Sequence, residues 1–265
     1  MKEHLRKLLP DSVDVALTRM VRSWRASRRR SRFTPLPYTL ASGLEVRVEN
    51  RADWLVFTDI FVQRIYDEAI AIALDAADVS RTFHVVDLGA NVGYFALRLL
   101  DVAMQRPDRQ LPIKLDLVEG SASLCAELRT RLSGQLPPNV SVTITNGLVG
   151  ARTGHAELYE SEFHIGNSLR PERYAQRSFV DYVDLDKLTE SAPVIDLFKC
   201  DIEGTEQMLL ENYPGLLDRV RVGAMELHHS LCDTRRCYEL LGQLRFHVHA
   251  TRATECFDEV LFQRR

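Results

Sequence analysis

An apolar run that passes through two glycines into an amphipathic segment constrains this chain more than any other feature. Residues 83–95 read Phe-His-Val-Val-Asp-Leu-Gly-Ala-Asn-Val-Gly-Tyr-Phe. The pattern predicts a buried strand ending at Asp87, a tight turn through Gly89 and Gly93, and a helix that follows. Glycines at such a turn let backbone N–H groups approach a nucleotide-like ligand closely. The spacing differs from the Gly-x-Gly-x-x-Gly of dinucleotide-binding proteins, which argues against an NAD-dependent oxidoreductase.

Strands and helices alternate along most of the chain, which favours a parallel sheet with helical crossovers. Apolar runs predict strands at 83–87, 113–118, 141–145, 194–200, 220–226, 245–250 and 257–263. Amphipathic segments predict helices at 93–104, 121–133, 204–212 and 231–243. Residues 147–185 interrupt this rhythm with short polar pieces, which we interpret as a hairpin and a loop inserted over the sheet edge.

The first part of the chain differs from the rest in charge. Residues 1–33 carry ten Lys or Arg against three Asp or Glu, whereas the whole chain has a net charge of −3. A basic amphipathic helix there could contact an anionic membrane surface or a polyanion, or it could pack its apolar stripe on the main domain. We divide the chain into a basic arm (1–34), a lead-in or substrate cap (35–80) and a ligand-binding α/β domain (81–265) that contains the insertion.

Composition is that of an ordinary globular protein, with 45% hydrophobic and 27% charged residues. The slightly negative net charge gives no general affinity for nucleic acid. Five scattered cysteines are typical of reduced thiols rather than of a disulfide framework. No stretch approaches the roughly 20 apolar residues of a membrane span, and the N-terminus lacks the apolar core of a signal peptide. We therefore expect a cytoplasmic protein.

Polar side chains end the second and third strands of the predicted alternation. The carboxyl ends of parallel strands border the ligand crevice of such a sheet. Glu119 could there accept both hydroxyls of a ribose, or it could cap the helix that starts at Ser121. Asn146 could pair through its amide with an adenine, or it could belong to an ordinary Asn-Gly turn.

Three acids and a histidine follow the next two strands of the alternation. Asp201 and Glu203 come directly after the apolar run 195–200, and Lys199 could neutralise one acid from below the sheet. Glu226 and His228 share a face of the following strand by alternation. A histidine suits proton removal near neutral pH, and a neighbouring carboxylate can orient its ring. The structural alternatives are a buried histidine with a satisfied hydrogen bond and a Glu203 that offsets a helix dipole.

These motifs together resemble the FkbM family of S-adenosylmethionine (SAM)-dependent O-methyltransferases. The most distinctive match is the string Lys-x-Asp-x-Glu-Gly-x-Glu from Lys199 to Glu206. The Asp-x-Gly-x-x-x-Gly spacing also resembles motif I of Rossmann-like SAM methyltransferases. The matching stretches are 86–95, 118–119, 145–147, 166–169, 185–188, 198–206 and 224–228. The resemblance covers residues 55–263 and leaves the basic arm outside.

The resemblance implies a Rossmann-like class I methyltransferase fold. Its seven-stranded, mostly parallel sheet would have an antiparallel last strand and flanking helices. SAM would lie across the ends of the first three strands and contact Asp87, Gly89, Asn91, Gly93, Tyr94, Phe95, Glu119 and Asn146. The methyl-transfer site would be lined by Asp201, Glu203, Glu226 and His228. The acceptor would be a hydroxyl of a small molecule, a sugar or glycan, or a natural product.

The methyl carbon of SAM is already electrophilic, so the protein must mainly align the acceptor and remove its proton. Our first hypothesis is that His228, oriented by Glu226, accepts this proton while Asp201 and Glu203 position the acceptor. In the second, Asp201, Glu203 and Glu226 hold a divalent ion that acidifies the hydroxyl; the sequence alone assigns no metal site. An RNA methyltransferase using the basic arm for phosphate contact and a catalytically silent SAM-fold module remain alternatives.

Overall fold

The computed structural model describes residues 35–106, 110–160 and 176–264. The predicted basic arm and the 166–169 loop lie outside these ranges. The strands are β1 (Leu36–Thr39), β2 (Glu45–Val48), β3 (Phe83–Leu88), β4 (Ile113–Glu119), β5 (Val140–Asn146), β6 (His155–Glu160), β7 (Gln176–Asp181), β8 (Ile195–Cys200), β9 (Val220–His228), β10 (His247–Ala253) and β11 (Phe257–Gln263).

Seven of these strands form one sheet in the order β10-β11-β9-β8-β3-β4-β5. Neighbours from β9 to β5 pair in parallel, whereas β11 runs antiparallel to both β9 and β10. Counted along the chain, the order is 3-2-1-4-5-7-6, with the antiparallel last strand inserted between the fifth and the sixth. The predicted Rossmann-like class I methyltransferase architecture is therefore confirmed.

The helices are α1 (Arg51–Phe57), a π-helix (Thr58–Gln63), α2 (Asp67–Asp75), α3 (Tyr94–Met104), α4 (Ala122–Leu132), α5 (Leu185–Leu188), α6 (Glu206–Asn212), α7 (Pro214–Leu217) and α8 (Thr234–Gln243). Two of them, α6 and α8, begin two and three residues later than the sequence pattern predicts. Helix α8 begins only after Asp233, whose side chain accepts a hydrogen bond from the Arg236 N–H and caps the helix. Within the described part of the chain, no helix is long and apolar enough to cross a membrane.

The centre of the sheet is buried on both faces. Every residue of β3 and β8 is buried, as expected when helices cover a parallel sheet on both sides. Consequently polar side chains can reach the ligand crevice only where these strands end. The site is therefore built at the carboxyl edge of β3, β4, β8 and β9.

Two smaller sheets complete the fold. β1 and β2 form an antiparallel pair, and so do β6 and β7 within the predicted insertion. The antiparallel pairing of β6 and β7 agrees with the hairpin expected between 147 and 185. A parallel bridge between Leu148 and Tyr182 joins the two ends of this insertion beside the end of β5.

Candidate active site

The turn after β3 depends on a close backbone approach. Gly89 has φ +77°, and a Cβ built there would lie 1.8 Å from the carbonyl oxygen of Asp201. The Asp201 N–H in turn donates to the Leu88 carbonyl over 3.0 Å. The loop that follows β8 therefore lies directly on the turn that follows β3, and only glycine fits between them. Gly93 and Asn91 also have positive φ, at +85° and +49°.

Glu119 is held at the end of β4 by two backbone amides. Its Oε2 accepts from the Asn91 N–H and its Oε1 from the Ser121 N–H, each over 2.8 Å. The carboxylate thus contacts the start of α4 and also the glycine turn, whereas its binding of a ribose stays a prediction. Burial raises the pKa of Glu119, while the two amides oppose that rise. A carboxylate has about four acceptor positions, so two remain for a ligand.

Asp87 is fully buried and pairs with Lys199. The Lys199 Nζ lies 3.2 Å from Asp87 Oδ1 and donates to the Gly89 carbonyl over 2.6 Å. Lys199 thus neutralises one acid below the sheet edge, as the sequence suggests. Burial raises the pKa of Asp87, and Lys199 opposes that rise. Asp87 Oδ2 has no hydrogen-bond partner among the described residues.

Three other residues predicted to bind the cofactor have side chains with structural partners. The Tyr94 hydroxyl donates to the Arg47 carbonyl over 2.6 Å and accepts from Arg131, so its side chain is committed to β2 and α4. The ring of Phe95 packs edge-on against Tyr66, with centroids 5.2 Å apart. Asn146 donates to two backbone carbonyls at the end of β4, which leaves its amide oxygen to accept from an adenine N6 amino group.

The structure brings Asp201, Glu203 and His228 together. One ligand atom from each lies within 4.8 Å of the others. Glu203 has φ +52°, a left-handed conformation that is uncommon for a residue other than glycine and that concentrates at functional sites. The three side chains come from the ends of two adjacent parallel strands, as the sequence predicts.

The partner of the histidine differs from the prediction. His228 Nδ1 lies 3.0 Å from Oε1 of Glu206, the first residue of α6, which is fully buried. His228 Nε2 faces Glu203 Oε2 at 3.5 Å. The ring is therefore oriented by Glu206, and the hypothesis that Glu226 orients it is wrong.

The protonation of His228 also changes its role. Burial lowers the pKa of the ring, but the hydrogen bond to Glu206 and the surrounding carboxylates outweigh this and raise it to about 10. At neutral pH the ring in the metal-free protein therefore carries a proton already. A protonated imidazole cannot act as a base, which argues against His228 as the base in this state; its catalytic role stays a prediction.

Glu226 has a different partner, which comes from the N-terminal part of the fold. The hydroxyl of Tyr66, next to α2, donates to Glu226 Oε1 over 3.2 Å. Burial and the neighbouring charge of Asp201 raise the pKa of Glu226 well above its usual value. A raised pKa makes a carboxylate a stronger base than an unperturbed carboxylate. Glu226 is thus the residue of this cluster suited to accept a proton.

Glu206 and Tyr66 were not predicted as site residues. Glu206 is the last residue of the Lys-x-Asp-x-Glu-Gly-x-Glu string, so the sequence contains a signal that identifies it as a candidate site residue. Tyr66 lies 160 residues from its partner, Glu226. It stands in a segment without a recognisable motif, so only the fold identifies it.

Replacing Tyr66 with Phe should lower turnover about tenfold, because a hydrogen bond to a charged group contributes about 1.5 to 3 kcal/mol. The ring is retained, so its packing against Phe95 persists. A matched control is Y238F, which removes a tyrosine–carboxylate hydrogen bond of 3.1 Å to Asp258. Steady-state kinetics should show lower turnover for Y66F and wild-type turnover for Y238F. Equal turnover of the two variants would show that Tyr66 does not belong to the site.

Comparison with known proteins returns no matching family model and no matching curated protein. Among solved structures, the chain is similar to a precorrin-6y C5,15-methyltransferase from Geobacter metallireducens, with 10% identity and a TM-score of 0.42 over 75% of this chain and 88% of that one. It is also similar to methyltransferase FkbM from Methylobacillus flagellatus, with 16% identity and a TM-score of 0.45 over 68% of this chain and 43% of that one.

A third similar structure is a protein of the NADB-Rossmann superfamily from Streptococcus agalactiae. It has 13% identity and a TM-score of 0.43 over 74% of this chain and 68% of that one. The chain thus spans less than half the length of the FkbM structure and most of the other two. At such low identity the assignment of a function depends on the residues of the site.

Proposed function

We propose that this protein is a SAM-dependent O-methyltransferase that acts on a hydroxyl of a small molecule, a sugar or glycan, or a natural product. The observation that carries the proposal is the position of Asp201. Its backbone packs against Gly89 of the cofactor turn, and its side chain belongs to the cluster with Glu203 and His228. A cofactor-binding turn and a group of proton-handling side chains therefore adjoin at one sheet edge.

The residues at this edge fit SAM. SAM carries a sulfonium and an ammonium group, and carboxylates favour cations nearby. One buried carboxylate oxygen there, Asp87 Oδ2, has no hydrogen-bond partner among the described residues. Glu119 keeps acceptor positions for the ribose hydroxyls. When bound, SAM supplies the electrophilic methyl group.

The side chains of the protein then have to bind the acceptor and remove its proton. Glu226, held by Tyr66, would accept the hydroxyl proton, because an alcohol is a poor nucleophile until it is deprotonated. Asp201 and Glu203 would hold the acceptor oxygen in line with the methyl group. In the protein without a bound metal ion, the protonated His228 would offset part of their negative charge. The resemblance to the FkbM family supports the choice of oxygen as the methylated atom.

The test is an incubation of the purified protein with SAM carrying an isotopically labelled methyl group and pools of hydroxyl-bearing metabolites and glycans. Mass spectrometry should reveal a product that has gained one labelled methyl group, and fragmentation should place it on oxygen. Label found on RNA instead would favour the RNA methyltransferase. Labelling of carbon or nitrogen alone would contradict O-methylation.

A further inference from the structure

We propose that Asp201, Glu203 and His228 form a binding site for a divalent transition-metal ion beside the cofactor turn. The inference deepens the proposed function, on which its catalytic meaning rests. It differs from the metal hypothesis drawn from sequence, because His228 replaces Glu226 in the set of ligands. Four observations carry it: the ligand geometry, the partner of His228, the free oxygen of Asp201 and the donor set.

The three ligand atoms are close enough to share one ion. They lie within 4.8 Å of one another, and His228 Nε2 is 3.5 Å from Glu203 Oε2. Metal bonds of about 2.0 to 2.2 Å place two ligand atoms at most about 4.4 Å apart. The side chains therefore need to move by only a fraction of an ångström to close around an ion.

The imidazole is held as a metal-ligating histidine is held in proteins. Such a histidine usually binds the metal through one ring nitrogen and donates the other N–H to a carboxylate or carbonyl. In this structure His228 Nδ1 pairs with Glu206 over 3.0 Å, and Nε2 faces Glu203 at 3.5 Å. Glu206 is fully buried, with a relative exposure of 0%. Its Oε1 also accepts a hydrogen bond from the Gly204 N–H over 3.0 Å.

A free acceptor atom points to the same conclusion. Asp201 Oδ1 is buried and has no hydrogen-bond partner among the described residues, and neither has Oε2 of the fully buried Glu206. A buried polar atom left unsatisfied costs about 1 to 3 kcal/mol. A cation bound by Asp201 and by His228 Nε2 would displace the proton on that nitrogen into solvent. It would also satisfy the Asp201 oxygen and offset the negative charge that Glu206 brings close to the ring.

The donor set selects the kind of ion. Two carboxylate oxygens and one imidazole nitrogen suit Mn²⁺, Fe²⁺ or Zn²⁺, whereas Mg²⁺ and Ca²⁺ prefer oxygen ligands alone. Three protein ligands leave coordination positions for an acceptor hydroxyl. An ion there would acidify that hydroxyl, and Glu226, which shares a face of β9 with His228 by strand alternation, would take the released proton.

The experiment uses the full-length protein, freed of metal by a chelator and dialysed, and titrates it with Mn²⁺. Electron paramagnetic resonance measures the free ion, so the readout needs neither SAM nor an acceptor. We expect one Mn²⁺ per chain with a dissociation constant on the order of 10 µM. E203Q and H228A should each weaken binding at least tenfold, and E206Q should do so by about 10- to 100-fold through the orientation of the ring.

The matched control is His229→Ala, since His229 pairs with Asp258 at 3.1 Å and lies outside the cluster; its binding should equal that of the wild type. E203Q keeps the proposal testable if H228A fails to fold, because Glu203 is partly exposed. Absence of Mn²⁺ binding, or equal binding by wild type and E203Q, would overturn the metal site. Calorimetry with SAM on the same protein tests the proposed function separately, because loss of metal binding with SAM binding intact affects only this inference.

Discussion

E226Q should lower turnover by about 10²- to 10⁴-fold, the usual contribution of a positioned general base. Glutamine has nearly the same shape, and its oxygen can still accept from the Tyr66 hydroxyl, so SAM binding should be unchanged. The same substitution should make the metal-free protein more thermostable at pH 8. A loss of activity combined with a gain in stability is expected only where a side chain is kept in an unfavourable environment for function.

The gain in stability follows from the pKa of Glu226. Burial and the charge of Asp201 raise this pKa in the folded protein above its usual value of 4.5. A group with a raised pKa contributes its full stability below the unfolded pKa and loses it as pH rises toward the folded value. E226Q has no such loss, so its melting temperature should exceed that of wild type at pH 8, and the difference should shrink toward pH 4.

Thermal unfolding across this pH range, together with single-turnover kinetics, checks both parts of the prediction. E239Q is a suitable control, because Glu239 lies on the exposed side of α8, with a side-chain exposure of 47%, and pairs with arginines there. It should change neither turnover nor melting temperature measurably. An E226Q variant with wild-type turnover would remove Glu226 as the proton acceptor.

G89A is the second substitution with a large expected effect. A methyl group at Gly89 would lie 1.8 Å from the Asp201 carbonyl oxygen, and the residue has φ +77°. The loops after β3 and β8 must therefore separate, which should cost about 2 to 5 kcal/mol of stability. Because a misplacement of about 1 Å can cost 10²-fold in rate, we expect turnover to fall by at least that factor.

Gly134 provides a control with the same backbone conformation. It also has φ +77°, but nothing lies within 4 Å of a Cβ built there. G134A should therefore cost only the conformational term of about 1 to 2 kcal/mol and leave turnover intact. Denaturant unfolding and kinetics of the two variants separate the effect of the contact with Asp201 from the effect of the positive φ. Equal losses of stability and turnover in G89A and G134A would show that the contact with Asp201 is unimportant.

The sequence predicts the frame of the site well, because strand ends follow from local patterns. The apolar run before Asp87 and the run before Asp201 each specify a buried strand, and parallel strands bring their carboxyl ends together. Glu119 and Glu226 were placed by the same reasoning. The sheet order and the hairpin β6–β7 also agree with the predicted alternation and its interruption.

The pairing of side chains across the site could not be predicted in this way. Alternation places Glu226 and His228 on one face, but the partner of the ring is Glu206, which the packing of α6 delivers. The partner of Glu226 is Tyr66, whose position depends on how the segment before α2 packs on the sheet. Such contacts join elements that are far apart in the chain. They move the proposed general base from His228 to Glu226.

The most direct measurement of the central claim is calorimetric titration of the protein with SAM and, separately, with NAD. The turn at Gly89 and the carboxylate of Glu119 should bind SAM at one site per chain, with a dissociation constant on the order of micromolar, and should not bind NAD. E119A should weaken SAM binding about tenfold or more, since it removes an acceptor for the ribose hydroxyls. Absence of SAM binding to the wild type, or binding of NAD in its place, would contradict the proposed function.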